Sequence, residues 1–283
     1  MKYILIVMLL LTSVTANDFD KGLDAAQKGD YATALKLWRP LAEQGSVSAQ
    51  YNLGIMYDNG WGVAQDFKQA VAWFTRAAEQ GYADAQYKLG VMYKDGKGVA
   101  QDSKQAVAWF IHAAEQGVAA AQYNLGLMYK DGKGVAQDSK QAVAWYTRAA
   151  EQGVADAQLN LGVMYDNGWG VAQDSKQAVA WYTRAAEQGN AIAQYNLGLM
   201  YENGKGVAKD FKQAAIWYTR AAEQGYADAQ LNLGVMYYKG QGVTKDKIEA
   251  YTWLLKAAKQ GNSGAQNNLD ILCKQSPWAC QQR

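Results

Sequence analysis

The sequence is poor in residues that ligate metals, bridge chains or bend them. Its 283 residues include one histidine, two cysteines and two prolines. A single histidine with two cysteines excludes a His-rich metal centre and a zinc-finger array. There is no excess of charge of one sign, with 28 Lys+Arg against 26 Asp+Glu. That balance removes the electrostatic case for general nucleic-acid binding. Beyond the first residues there is no long apolar run, so nothing in the body of the chain suggests a membrane span. Scarce proline also argues against a flexible linker, which would pair it with glycine. Yet glycine is abundant, at 28 residues, and those glycines need a structural reason.

The chain opens with Met1-Lys2, an apolar stretch from Tyr3 to Leu11, small residues at Val14 and Ala16, and then polar Asn17-Asp18. This pattern predicts a secretory signal cleaved after Ala16. The apolar run is shorter than the roughly 20 residues of a spanning helix, and no cysteine follows it for lipid attachment. A periplasmic or secreted product is expected.

The rest is one unit repeated. Ala-Glu-Gln-Gly ends at Gly45, Gly81, Gly117, Gly153, Gly189 and Gly225, and Gly261 closes the series, always at the same 36-residue spacing. A fixed period in this range is the signature of a solenoid. In the unit ending at Gly117, Ala85, Leu89, Met92 and Tyr93 share one face of a first helix from Tyr82 to Asp95. Gly96-Lys97-Gly98 stops that helix. Asp102 then caps a second helix, with Gln105 completing a capping-box-like pattern. That helix runs from Ser103 to Gln116 and carries Ala106, Val107, Trp109, Phe110, Ala113 and Ala114. Gly90 lies inside the first helix at a cost of about 1 kcal/mol, so its recurrence as Gly54, Gly126, Gly162, Gly198 and Gly234 predicts a close approach of helices. Tryptophan recurs on the second helices as Trp73, Trp109, Trp145, Trp181, Trp217 and Trp253, with Trp38 displaced by one position. The expected organisation is a signal at 1–16, an N-terminal capping hairpin at 17–45, six repeats over 46–261, and a capping helix with tail at 262–283.

The recurring Ala-Gln-Tyr-Asn-Leu-Gly-x-Met-Tyr, Asn-Gly-x-Gly-Val and Asp-x-x-x-Ala-x-x-Trp-Tyr-x-x-Ala-Ala-Glu-Gln-Gly resembles the Sel1-like repeat, a relative of the tetratricopeptide repeat. The match runs from about Ser46 to Leu272. The resemblance implies an all-α fold, a right-handed α-solenoid superhelix of antiparallel helix hairpins, and a role in assembling protein partners. Exported bacterial members are linked to host interaction, envelope or stress pathways. A helicobacter cysteine-rich branch, which places a cysteine pair in each repeat, has been described as binding or hydrolysing β-lactams. This chain has no cysteine in its repeats, so that activity is not carried over.

On the first helix, 100° per residue puts Asp84, Tyr87, Val91 and Lys94 roughly opposite the core. In tetratricopeptide-like stacking such a stripe lines the concave groove. Its tyrosines are Tyr51, Tyr87, Tyr123 and Tyr195, with leucine at the other two positions. Its wall is the variable series Asp58, Lys94, Lys130, Asp166, Glu202 and Tyr238. Aromatic anchors on an aliphatic floor beside alternating charges suit an extended peptide or a partner helix; the alternative is that the tyrosines and aliphatic residues pack against the next unit. Trp61 and Trp169 stand between the paired loop glycines, where polar residues are usual. They are read either as contact residues or as folded back on their own hairpin.

Catalytic chemistry is sparse. His112 replaces an arginine found in other units (Arg76, Arg148, Arg184, Arg220) and reads as a solvated substitution. No nucleophile, phosphate-loop or calcium-loop pattern accompanies it. Cys273 and Cys280 are expected to form a disulfide that pins Ser276-Pro277-Trp278 to the last helix. The expectation is therefore a monomeric, non-catalytic scaffold for a protein or peptide. It needs no cofactor or metal, binds no nucleic acid, and makes no stable membrane insertion once the signal is cleaved. A β-lactam- or cell-wall-directed enzyme and a secreted effector engaging host proteins are the alternatives.

Overall fold

The computed structural model describes residues 16–281, and the expected signal, but for its last residue Ala16, lies outside them. Every regular element among the described residues is helical. A first hairpin pairs α1 (Ala16–Gln27) with α2 (Tyr31–Glu43). Six longer hairpins follow: α3 (Val47–Asn59) with α4 (Phe67–Glu79), α5 (Ala83–Asp95) with α6 (Ser103–Glu115), and α7 (Ala119–Asp131) with α8 (Ser139–Glu151). Then come α9 (Ala155–Asn167) with α10 (Ser175–Glu187), α11 (Ala191–Asn203) with α12 (Phe211–Glu223), and α13 (Ala227–Lys239) with α14 (Lys247–Lys259). A lone α15 (Ser263–Gln275) and a short 3-10 turn, Pro277–Cys280, complete the chain.

The residues form two compact units. The first ends at Ala121 and includes Lys133–Val135; the second comprises Gln122–Gly132 and everything from Ala136 onward. Within each, alanines face alanines where helices cross, and leucine, methionine and aromatic residues fill the space between successive hairpins. In the first unit one cluster joins Ala70, Phe74 and Ala77 of α4 to Ala85 and Leu89 of α5, with Tyr51 and Ile55 of α3 packed against it. In the second, Ala178, Tyr182, Ala193, Leu197 and Trp217 do the same, with Leu159 and Val163 against them. No hairpin has enough apolar surface to bury its own faces, so neighbours supply the core.

The second helices begin as the sequence predicts. Asp102 Oδ1 accepts from the Lys104 and Gln105 amides at 2.9 and 3.1 Å, and Asp66, Asp138, Asp174, Asp210 and Asp246 cap in the same way. The Gln105 side chain does not return a bond to Asp102, so only half of the capping box forms. The first helices end on left-handed glycines such as Gly96, whose N–H reaches Met92 O.

The internal glycines have a more specific role than helix-to-helix approach. Gly54 and Gly90 each face the ring of a second-helix residue, Phe74 and Phe110. In the second unit Gly126, Gly162 and Gly198 face Tyr146, Tyr182 and Tyr218, and Gly234 faces Leu254. A Cβ on Gly198 would lie 2.6 Å from two ring carbons of Tyr218. Trp38 belongs to this set: its indole lies on Gly22, with Nε1 2.3 Å from where a Cβ would be. It is therefore the first hairpin's ring-on-glycine residue, not a displaced copy of Trp73.

The loops link neighbours. The second loop glycine rests on the opening turn of the preceding second helix: a Cβ on Gly98 would meet Phe67 O at 2.3 Å, and one on Gly206 would meet Ser175 O at 2.2 Å. At the end of the chain the tail takes over this contact, with Lys247 Nζ donating to Ser276 Oγ at 2.5 Å. Cys273 and Cys280 are disulfide-bonded, as expected, with Cα atoms 5.6 Å apart. Closing so short a loop contributes about 2 kcal/mol. Reduction is expected to raise amide exchange in α15 and the last turn of α14 while leaving α3–α6 unchanged, in hydrogen-exchange mass spectrometry with and without reductant. Uniform protection in both conditions would show that the tail holds without the bond.

Candidate functional site

The stripe opposite the core is set by helix geometry and lies at the boundary between packing and solvent. Tyr51, Tyr87, Tyr123 and Tyr195 are all half-buried. Each leans on the ring held by the neighbouring glycine: Tyr51 on Phe74 (5.8 Å between centroids), Tyr87 on Phe110 (6.0 Å), Tyr123 on Tyr146 (6.0 Å) and Tyr195 on Tyr218 (5.8 Å). Tyr51 and Tyr195 also touch Tyr82 and Tyr226, at 5.0 and 5.1 Å. One face of these tyrosines is thus committed to the fold. Burial, then the nearby Asp84 carboxylate, pushes the Tyr51 hydroxyl up to about 12. Burial likewise raises Tyr87, Tyr123 and Tyr195. They stay neutral at ordinary pH and offer hydrogen bonds and aromatic surface, not a nucleophile or base.

The wall residues Asp58, Lys94, Lys130, Asp166, Glu202 and Tyr238 occupy one equivalent position, and all are half-exposed. Several are already engaged. Lys94 lies 3.7 Å from Asp95 and Lys130 3.6 Å from Asp131. Asp166 pairs with loop residue Lys205 at 2.7 Å, and Glu202 accepts from the Tyr218 hydroxyl at 2.6 Å. Tyr238 donates to Gln275 of the capping helix. The last position of the series is therefore closed by α15, while those before it keep their charges at the surface.

The loop tryptophans separate. Trp61 is 42% exposed and stacks on Tyr31 of the preceding hairpin, with centroids 5.2 Å apart and planes at 14°. It folds neither free into solvent nor onto its own hairpin. Trp169 is 53% exposed. Its loop rests through Gly170 on the opening turn of α8, where Ser139 stands in the place of Tyr31, so no ring is there to stack on.

Two features escaped the sequence reading. Arginine three residues after the second-helix tryptophan lies over its ring, as with Arg76 on Trp73 (4.5 Å) and Arg148, Arg184 and Arg220 on Trp145, Trp181 and Trp217. The Trp-x-x-Arg spacing is the signal, since these positions adjoin on a helix. His112 keeps this place, exposed beside Trp109 at 5.8 Å. The second is a ladder of buried glutamines. Gln86 donates to Ala78 O at 3.1 Å and accepts from Gln116 Nε2 at 2.7 Å, and Gln50, Gln158, Gln194 and Gln230 repeat the arrangement. Both glutamines are visible in Ala-Gln and Ala-Glu-Gln-Gly, but their pairing 30 residues apart is not.

The repeat model for the Sel1 family matches seven consecutive stretches, 19–46, 47–82, 83–118, 119–154, 155–190, 191–226 and 227–262. The chain is a Sel1 repeat protein. The first match is the short N-terminal hairpin, and the other six are 36-residue units. Among solved structures, a Sel1 repeat protein from Oxalobacter formigenes is 34% identical, with a TM-score of 0.73 over 86% of this chain and 97% of that one. A protective antigen of uropathogenic Escherichia coli, c5321, is 35% identical with a TM-score of 0.74. That alignment takes in 92% of this chain but spans only 64% of the antigen's length. None of the curated proteins matches this chain. Sel1 repeats form an all-α solenoid that typically serves as a non-catalytic scaffold, and repeat proteins of this kind bind proteins. Among the described residues no helix is long and apolar enough to cross a membrane, and no group of three His, Cys, Asp or Glu side chains is placed to hold a metal ion.

Proposed function

We propose that this Sel1 repeat protein is an exported, monomeric, non-catalytic scaffold that binds a protein or peptide along its first-helix stripe. The observation that carries the reading is the stripe itself. Half-exposed tyrosines supply aromatic surface, and beside them one position changes from Asp58 to Lys94 to Lys130 to Asp166 to Glu202 while the core positions barely change. Aromatic anchors give affinity, and a varying charge pattern selects partner and register. The disulfide and the leader-like sequence at 1–16 support work outside the cytoplasm, in the periplasm or beyond.

Photo-crosslinking in the native cell tests this. A crosslinker at Lys130 or Val91 is expected to capture a discrete partner, and one at Lys104, on the exposed side of α6, is expected not to. Lys130→Glu is expected to weaken the captured interaction about tenfold. Adducts from Lys104 alone, or none from the stripe, would overturn the reading. Turnover of nitrocefin by the purified chain would overturn its non-catalytic part. Fractionation distinguishes a periplasmic scaffold from a secreted effector that engages host proteins.

A further inference from the structure

The first unit contains a cavity of about 240 Å³ lined by Leu23, Ala26, Tyr31, Ile55, Met56 and Trp61, with Gln27, Trp38 and Asn52 completing it. Its origin can be read from the repeat. Because Trp38 sits on Gly22 as Phe74 sits on Gly54, Leu23 and Ala26 correspond to Ile55 and Asp58. The wall position that carries a long or charged side chain in every later hairpin is here an alanine. The α1–α2 turn is only Lys28–Asp30, where later hairpins have a loop such as Gly60–Asp66. What remains is an apolar recess at the start of the stripe, with Trp61 held over it by Tyr31.

We propose that this recess is the anchor site for one bulky apolar side chain, phenylalanine above all, carried by a partner segment with lysine or arginine beside it. The proposal rests on the scaffold reading and names the chemistry of its partner. Size supports it: an apolar cavity of about 150 Å³ holds benzene, so this one admits a phenyl side chain but falls below the ~300 Å³ at which drug-sized ligand pockets begin. Polarity supports it too. The Trp38 indole N–H is already spent on Phe19 O at 3.1 Å. Among the described residues the side-chain amides of Gln27 and Asn52 make no hydrogen bond, and they line the recess where a peptide backbone would pass. Charge gives the flanking residues. Asp20 stands one turn before Leu23, and Asp58 one turn after Ile55, and neither forms an ion pair among the described residues. The two lysines of the first hairpin's α1 and turn pair elsewhere, Lys21 with Asp18 at 3.3 Å and Lys28 with Asp24 at 2.7 Å, and Arg39 donates to the Tyr57 hydroxyl at 2.8 Å. Leu23 and Trp61, 38% and 42% exposed, form an apolar rim that water covers poorly.

The test uses three synthetic peptides, Lys-Lys-Phe-Lys-Lys, Lys-Lys-Ala-Lys-Lys and Glu-Glu-Phe-Glu-Glu, titrated into the full chain. The readout is the indole NMR signals of Trp61 and Trp38, assigned by their loss in W61F and W38F. The Lys-flanked phenylalanine peptide is expected to shift both saturably, with the other two at least tenfold weaker. Ala26→Phe, which fills the recess, is expected to abolish the response without moving the Trp169 signal. Asp58→Asn leaves the recess open and is expected to weaken the lysine peptide several-fold, which keeps the test sound if A26F disturbs α1. No saturable shift, an equal response to the alanine or glutamate peptide, or a response that survives in A26F would overturn the proposal. So would self-association dissolved by Trp278→Ala, which would assign the recess to the tail of a second copy. Crosslinks from Lys130 arise in the second unit, so their presence alongside a silent recess would discard the anchor site and leave the scaffold standing.

Discussion

Gly198→Val is expected to destabilise the second unit by about 3 kcal/mol or more, although valine is ordinarily a slightly better helix former than glycine. The reason is the Tyr218 ring. Tyr218 is fully buried, and a Cβ at position 198 would stand 2.6 Å from two of its ring carbons before valine's methyls are added. The ring cannot shift easily, because Tyr195 leans on it with centroids 5.8 Å apart and its hydroxyl is tied to Glu202 at 2.6 Å. Densely packed interiors transmit such strain instead of absorbing it. The decisive measurement is a double-mutant cycle with Tyr218→Ala, read by urea denaturation together with amide exchange in α11 and α12. Once the ring is gone, Gly198→Val is expected to change stability by no more than about 0.5 kcal/mol. A valine that costs the same with and without the ring would mean that Gly198 is retained for some reason other than the space it gives Tyr218.

The same pair shows what could be read before the structure and what could not. The period, the hairpins, the caps and the existence of an intrahelical glycine are all properties of one segment, and one segment displays them. The ring that requires the glycine lies twenty residues away on another helix, and the six 36-residue units share that spacing, with Leu254 in place of the ring in the last. Because the spacing does not vary among those six, nothing among them contrasts with it. The first hairpin was the informative exception. There the spacing shrinks to sixteen because the loop is shorter, and Trp38, which looks displaced against the tryptophan series, falls into place against the ring series. The stripe was legible as a set of residues because 100° per residue fixes their face. It was not legible as a surface: whether Tyr87 is free or leaning on Phe110 depends on the depth of the neighbouring helix, which periodicity does not encode. The wall charges were found for the opposite reason. They vary where the core does not, and variation within one chain marks positions that packing leaves alone. The recess at Ala26 is the limiting case, because it arises from what the first hairpin lacks.

The second large effect is expected at Gln158→Ala, about 3 kcal/mol. Gln158 is 4% exposed and bridges three helices, donating to Ala150 O on α8 at 3.0 Å and accepting from Gln188, just past α10, at 2.7 Å. Losing the two hydrogen bonds costs about 1 kcal/mol each, and emptying the space of its Cγ methylene and amide group costs about 1 kcal/mol more. The distribution of the loss matters more than its size. In a repeat array, stability is the sum of what each hairpin holds alone and what it shares with its neighbours. Gln158 contributes to the shared part, so its removal is expected to broaden the unfolding transition and to let α8 exchange amides independently of α10. Gln266, the corresponding residue of α15, is exposed, and among the described residues its side chain bonds to Asp270 at 2.9 Å and not to a second-helix glutamine, since a 3-10 turn follows α15. Gln266→Ala is accordingly expected to change stability by less than about 0.5 kcal/mol. Equal losses at the two positions would show that the ladder is incidental; a loss at Gln158 with an unbroadened transition would place the bond inside one hairpin's own stability and not in the coupling that makes the array fold together.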